Sequence, residues 1–118
     1  MQFDSELIDA DGAVIRPHGR LNMVAAPRLR TAVAEVIGQG RRRIVIDLSA
    51  TEFMDSSGLG ALIAGLKTAR NAGGDLRIAA PAAQVATVLQ LTNLDRVLRP
   101  YASVDEALGW RLSRARTG

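Results

Sequence analysis

The apolar positions of this chain alternate between strand-like runs and helical stripes. Ile44, Val45, Ile46 and Leu48 make a nearly continuous apolar run that carries one acid, Asp47. Such a run fits a central strand covered on both faces, as in parallel sheets. Before it, Leu29, Ala32, Val33, Val36 and Ile37 recur at helical spacing and predict an amphipathic helix. Pro27 suits its first turn, and Gly38 or Gly40 its exit. After the run, a second helix is predicted from about Ser57 to Asn71, with Leu59, Leu62, Ile63 and Leu66 on its apolar stripe. Gly58, Gly60 and Gly65 lie inside it. Each costs about 1 kcal/mol relative to Ala, so they point to close packing or to a partner that must approach.

The remaining elements follow the same reading. Phe3 to Ile8 predicts a first strand, Asp9-Ala10-Asp11-Gly12 a hairpin turn, and Ala13 to Pro17 the return strand. Gly19-Arg20-Leu21-Asn22 leaves that strand as a loop. Leu76 to Ala80 reads as a strand stopped by Pro81, Ala82 to Leu91 as a third helix, and Val97-Leu98 as a short strand. Ser103-Val104-Asp105-Glu106 is a capping box that opens a fourth helix, docked by Ala107, Leu108 and Leu112. The domain spans 1–112, and a basic tail, 113–118, is expected to fray. Strand and helix alternate, which argues for one α/β domain with a partly parallel sheet. Asp47 to Ser57 is then a loop at the carboxyl edge of that sheet, where open α/β folds place their sites.

Composition narrows the chemistry. The chain has 118 residues and no cysteine, which excludes disulfides, thiolate metal sites and a cysteine nucleophile. Aromatics are 3% of the residues, so the core is aliphatic and stacking platforms for nucleic acid are scarce. The net charge of +3 gathers in Arg41-Arg42-Arg43 and in Arg111, Arg114 and Arg116, read as a solvated loop and tail. No nucleic acid partner is expected. Met1 to Ile8 has neither the basic start nor the apolar stretch of a signal peptide. No apolar run nears the roughly 20 residues of a membrane span. A cytoplasmic protein without membrane contact is the expectation.

The richest chemistry lies in Asp55-Ser56-Ser57-Gly58, at a loop-to-helix junction. Asp55 or Ser56 could serve only as a helix cap. A phosphate on Ser56 would instead place up to about −2 charge on a helix N-terminus that can carry it. A serine hydrolase would need a G-x-S-x-G elbow and a base. Neither serine sits in that motif, and the only histidine, His18, lies near a strand end. No P-loop or complete dinucleotide fingerprint is present. Asp47, Glu52 and Asp55 could rim a cation, but carboxylates at loop ends are common, and neither a metal nor a cofactor is expected.

The segment from Ile44 through Asp47-Leu48-Ser49 to Phe53-Met54-Asp55-Ser56-Ser57-Gly58-Leu59-Gly60 resembles the STAS domain of bacterial anti-sigma factor antagonists and sulphate-transporter tails. The resemblance extends to Gly19-Arg20-Leu21-Asn22, Gly73-Gly74-Asp75-Leu76 and Leu91-Thr92-Asn93-Leu94, and so covers nearly the whole chain. The length looks like that of the stand-alone antagonists. The resemblance implies a single-domain α/β STAS fold, with a mixed, mostly parallel sheet of about four to five strands and about four helices. It implies a non-enzymatic protein that binds an anti-sigma factor, often a serine kinase, and so frees a sigma factor. Phosphorylation of the serine after the aspartate, Ser56, ends binding, and a serine phosphatase restores it, as in partner switching under stress. Asn22, Asp55, Ser57, Gly58, Leu59 and Gly60 would form the partner surface. The family often carries Glu and Asp in the first loop, where this chain has Arg20 and Asn22, so an acidic rim is weakened. Monomer and weak dimer both remain open, as does a constitutive, non-phosphorylated scaffold in a signalling or lipid-transport assembly.

Overall fold

The computed structural model describes residues 2–109. In chain order these form β1 (Gln2–Leu7), β2 (Gly12–Leu21), α1 (Ala26–Gly38), β3 (Arg43–Asp47), β4 (Thr51–Met54), α2 (Ser56–Asn71), β5 (Asp75–Ala79), α3 (Ala83–Leu91), a 3-10 turn (Leu94–Arg96) and β6 (Pro100–Tyr101). The chain is again helical over 104–109, here α4. The expected docking by Leu112 and the frayed tail at 113–118 lie outside the described residues.

The sheet has six strands in the order β1-β2-β3-β5-β6, with β4 paired to β2. Only β1 and β2 run antiparallel; the other pairs are parallel. The hairpin is closed by Asp9, whose carboxylate accepts from the Asp11 amide at 2.8 Å and the Gly12 amide at 2.7 Å. Arg43, almost fully buried, clamps the same turn through Asp9 at 2.8 Å and Asp11 at 3.0 Å.

The expected solvated loop at Arg41-Arg42-Arg43 is not one, because Arg43 is buried at the start of β3 and Arg41 and Arg42 are half-buried, and three further expectations change. The segment between Asp47 and Ser57 is not all loop, because Thr51–Met54 forms β4. Thr51 and Met54 are buried while Glu52 is exposed, a pattern too short to read as a strand from spacing alone. The return strand does not end at Pro17; β2 continues to Leu21 so that Gly19–Leu21 can pair with β4. The register shifts between Gly19 and Arg20, and Gly19 has φ of 91°, a bulge that redirects β2 from β3 to β4. Val97-Leu98 is not a strand. Val97 ends the 3-10 turn, Leu98 is buried, and the short edge strand is Pro100–Tyr101.

The core is two unequal layers. Leu29, Val33 and Val36 of α1, Leu59, Leu62 and Leu66 of α2, and Val85 and Leu89 of α3 pack on Ile15, Ile44, Ile46 and Ile78. The opposite face buries a smaller set, Val14, Val45, Ala79 and Ala107, with Tyr101, Val104 and Leu108 against it. The continuous apolar run of β3 is explained by this arrangement: its alternate side chains enter both layers. Asp47, at its end, is the exception. Burial pushes its carboxyl up, but the Ser49 amide and the Arg16 guanidinium at 2.7 Å outweigh that and hold it below the usual range.

Candidate functional site

The junction between β4 and α2 is held from two sides. Leu21 pairs with Met54 across β2 and β4, and the Asp55 amide points at the Leu21 carbonyl at 3.4 Å. On the other side, Gln84 of α3 accepts from the Met54 amide at 2.9 Å and donates to the Met54 carbonyl at 3.2 Å. The Gln84 amide thus completes the backbone hydrogen bonding of Met54 where β4 has no strand neighbour. No periodicity in the sequence marks Gln84 for that role.

Asp55 is extended, with φ of −112° and ψ of −171°, and is the N-cap of α2. One carboxylate oxygen accepts from the Ser57 amide at 2.9 Å and from the Gly58 amide at 3.1 Å. Two of the helix's orphan N–H groups are satisfied this way. Ser56 is therefore the first helical residue, not the cap. Its side chain is exposed, and among the described residues its hydroxyl has no hydrogen-bond partner. No acidic residue occupies the first turn beyond the cap.

The expected partner residues divide. Ser57, Gly60 and Asp55 are partly exposed beside Ser56, and Asn22 is partly exposed in the loop that follows Leu21. The Asn22 side-chain oxygen accepts from the Val24 and Ala25 amides at 3.1 and 3.2 Å and shapes the turn into α1. Gly58 and Leu59 do not reach the surface. Leu59 is 6% exposed in the core, and a Cβ on Gly58 would run into the Leu21 carbonyl. Helical spacing explains the division: 58 and 59 point at the sheet while 56, 57 and 60 point away.

Further features sit at this end of the molecule. Met23 and Val24 are 72% and 77% exposed in the turn after Asn22. Their adjacency in a loop, outside any apolar period, was the available signal. Arg20 lies over the Phe53 ring at 4.3 Å, and an Arg30 guanidinium nitrogen would be 3.7 Å from a Cβ at Gly60. Apolar and basic side chains thus adjoin the elements that meet at the junction, while the residue next to Ser56 is the acidic Asp55.

Nothing among the described residues equips Ser56 as a nucleophile in its own right. His18 is engaged by Asp4 at 2.6 Å on the β1–β2 hairpin. Asp47 is tied to Arg16 and Asp55 to the helix cap, and the described residues contain no group of three possible metal-binding side chains.

Fold and site together define the class: a one-sheet α/β module that presents a hydroxyl at a helix start. The chain belongs to the STAS domain family, which it matches over residues 4–107. A Thermotoga maritima protein assigned provisionally as an anti-sigma factor antagonist is 33% identical over 107 residues, covering 90% of this chain and 94% of that one. The anti-sigma-F factor antagonist RsfB of Mycobacterium tuberculosis is 32% identical over 108 residues, covering 86% of each chain. Among solved structures, the anti-sigma factor antagonist SpoIIAA in its unphosphorylated form superposes with a TM-score of 0.79 at 25% identity, covering 99% of this chain and 98% of that one. The phosphorylated form of Bacillus SpoIIAA is also similar, with a TM-score of 0.70 at 26% identity over 91% of this chain and 96% of that one.

Proposed function

We propose that this protein is a cytoplasmic anti-sigma factor antagonist whose binding is switched off by phosphorylation of Ser56. The observation that carries the reading is the division of labour between Asp55 and Ser56. Asp55 alone caps α2, which leaves the Ser56 hydroxyl exposed and without a structural task. A scaffold that needed only a cap would have no use for it. Relatives named as antagonists, and structures named SpoIIAA in an unphosphorylated and a phosphorylated form, support the same reading.

In this mechanism the unmodified protein docks on an anti-sigma factor of the serine kinase type. The contact surface is Asn22, Asp55, Ser57 and Gly60, extended by Met23 and Val24. Gly58 and Leu59 act from below, seating the first turn of α2 against β2 and the core. The partner transfers the γ-phosphoryl group of ATP to the Ser56 oxygen, and ADP leaves. The product places up to about −2 charge in the middle of the contact surface. The positive end of the α2 dipole favours that charge in the isolated protein, although Asp55 already engages the Ser57 and Gly58 amides, whereas a docked partner would have to desolvate it. A serine phosphatase resets the switch.

Incubation with a kinase-type anti-sigma factor encoded beside this protein, plus ATP, tests the proposal by intact mass. A gain of one phosphate, absent in Ser56→Ala, is expected, together with loss of partner binding in Ser56→Asp. Phosphate gained equally by Ser56→Ala, or full binding by Ser56→Asp, would overturn it.

A further inference from the structure

The other end of α2 leads to a second concave feature. The helix has 16 residues, which at about 1.5 Å of rise each puts its C-terminus roughly 24 Å from Ser56. There a cleft of about 160 Å³ opens between the start of β5, the 3-10 turn and β6. Its lining includes Arg70, Arg77, Arg96 and Arg99, one carboxylate, Asp75, and the Tyr101 ring.

The four guanidinium groups are not equivalent. Arg70 is held by Asp75 at 3.3 Å. Arg77 donates to the Ala107 carbonyl at 3.1 Å and stacks on Tyr101 at 4.9 Å, so its position is set by α4 and β6. Arg96 and Arg99 are exposed and form no hydrogen bond or ion pair among the described residues. Complementing the macrodipole at the end of α2 explains Arg70. It does not explain Arg77, which lies within a strand, or Arg96 and Arg99, which lie beyond α3. Asp95, next to Arg96 in the chain, does not line the cleft.

Four like charges around one hollow repel one another, and a single carboxylate does not offset them. Guanidinium forks match phosphate oxygens bidentately, more specifically than ammonium groups do. The charge exceeds what one phosphate group, at about −2, would neutralise. The volume falls short of the roughly 300 Å³ at which sites for drug-sized molecules begin. We propose that this cleft binds a diphosphate, either as the free ion or as the end group of a small phosphorylated ligand, with Arg77 held in place by Ala107 and Tyr101, Arg70 ion-paired beside it, and Arg96 and Arg99 as unpaired arms. The site is separate from Ser56 and does not depend on the switch assigned to that residue.

Titration calorimetry of the full-length protein with inorganic pyrophosphate tests the proposal, with sulfate at matched ionic strength as the control. Saturable one-to-one binding is expected with pyrophosphate and not with sulfate. The double variant R96A/R99A is expected to lose about tenfold or more in affinity, the scale of a lost charge-assisted contact. Its thermal midpoint without ligand should not fall below that of the parent, because neither side chain has a partner to lose among the described residues and mutual repulsion is relieved. Arg70→Gln should weaken binding independently. ADP tests the diphosphate as an end group: comparable affinity identifies a nucleotide-type ligand, and no binding identifies the free ion, each being diphosphate recognition. The proposal is overturned by absence of saturable heat, by sulfate matching pyrophosphate, or by unchanged affinity in R96A/R99A. Tighter binding of a single-stranded oligonucleotide than of pyrophosphate would also overturn it and make the face a nucleic-acid surface.

Discussion

Replacing Asp55 and Ser56 one at a time separates the cap from the acceptor. In Asp55→Ala the amides of Ser57 and Gly58 lose the oxygen they share at 2.9 and 3.1 Å. Water can replace only part of it, because the Gly58 side of the turn is buried against β2. Loss of an N-cap costs about 0.5–2 kcal/mol, and two satisfied amides place this one in the upper half, at about 1–2 kcal/mol. For a domain of this size that lowers the thermal midpoint by roughly 4–8 °C. Ser56→Ala removes an exposed hydroxyl with no partner and substitutes a better helix former, so its effect should stay within about 0.5 kcal/mol of zero. Asp55→Asn keeps a side-chain oxygen acceptor and should recover most of the lost stability. Urea denaturation followed by far-ultraviolet circular dichroism measures all three. Equal destabilisation by Ser56→Ala and Asp55→Ala would show that the serine shares the cap, and the division on which the functional reading stands would be wrong.

Two further substitutions probe what holds the site in place. Gly58→Ala should gain about 1 kcal/mol of helix propensity. A new Cβ, however, meets the Leu21 carbonyl and lies 2.9 Å from Met54 Cγ and 3.0 Å from Leu21 Cγ. Overpacking of about 1–3 kcal/mol and displacement of a backbone carbonyl should make the net effect a loss in urea denaturation, and a gain in stability would refute the packing. Asp9 gives a pH signature. The Asp11 amide first, then Arg43 and the Gly12 amide, hold its carboxyl down to about 2, against the opposing effect of burial. A carboxyl lowered on folding adds stability above its unfolded value, near 3.8, and loses it as pH falls through about 2. Asp9→Asn should therefore be less stable than the parent at pH 6, with the gap narrowing from pH 4 to pH 2, and a gap independent of pH would remove the linkage.

The strongly periodic elements were legible because burial dictates their pattern. The stripe of Leu29, Val33 and Val36 and the apolar run of β3 meet each other in the core, so composition and spacing carry their structure. The strand β4 was not legible, since four residues show at most two alternations and Phe53 and Met54 together imitate a buried plug. Its pairing depends on a bulge at Gly19, far back in the chain, and on the Gln84 side chain in α3. Such long-range devices leave no local signature. At the site, spacing identified Asp55-Ser56-Ser57-Gly58 as a helix start but left the cap open between two residues. The choice is made by backbone geometry, where Asp55 alone is extended. The inward orientation of Gly58 and Leu59 follows from that one-residue decision.

The same decision limits what a phosphate on Ser56 can do. The first turn of α2 cannot yield easily. Asp55 ties it to the cap, Gly58 lies against the Leu21 backbone, and Leu59 is in the core. Within the isolated protein the added charge meets opposing effects. The helix N-terminus favours an anion by about 0.3–1 kcal/mol, while the neighbouring Asp55 carboxylate repels it by an amount that solvent and salt screen at an exposed site. With these opposed and the turn pinned by the cap, the Leu21 backbone and the core, phosphorylation has little leverage on the fold. A partner seated on the same surface faces a different balance, because it must strip water from the new charge, at a cost of several kcal/mol unless it supplies a matched cation. Under the proposed switch, the position of Ser56, one residue past the cap, would therefore direct the effect of modification to binding and away from stability.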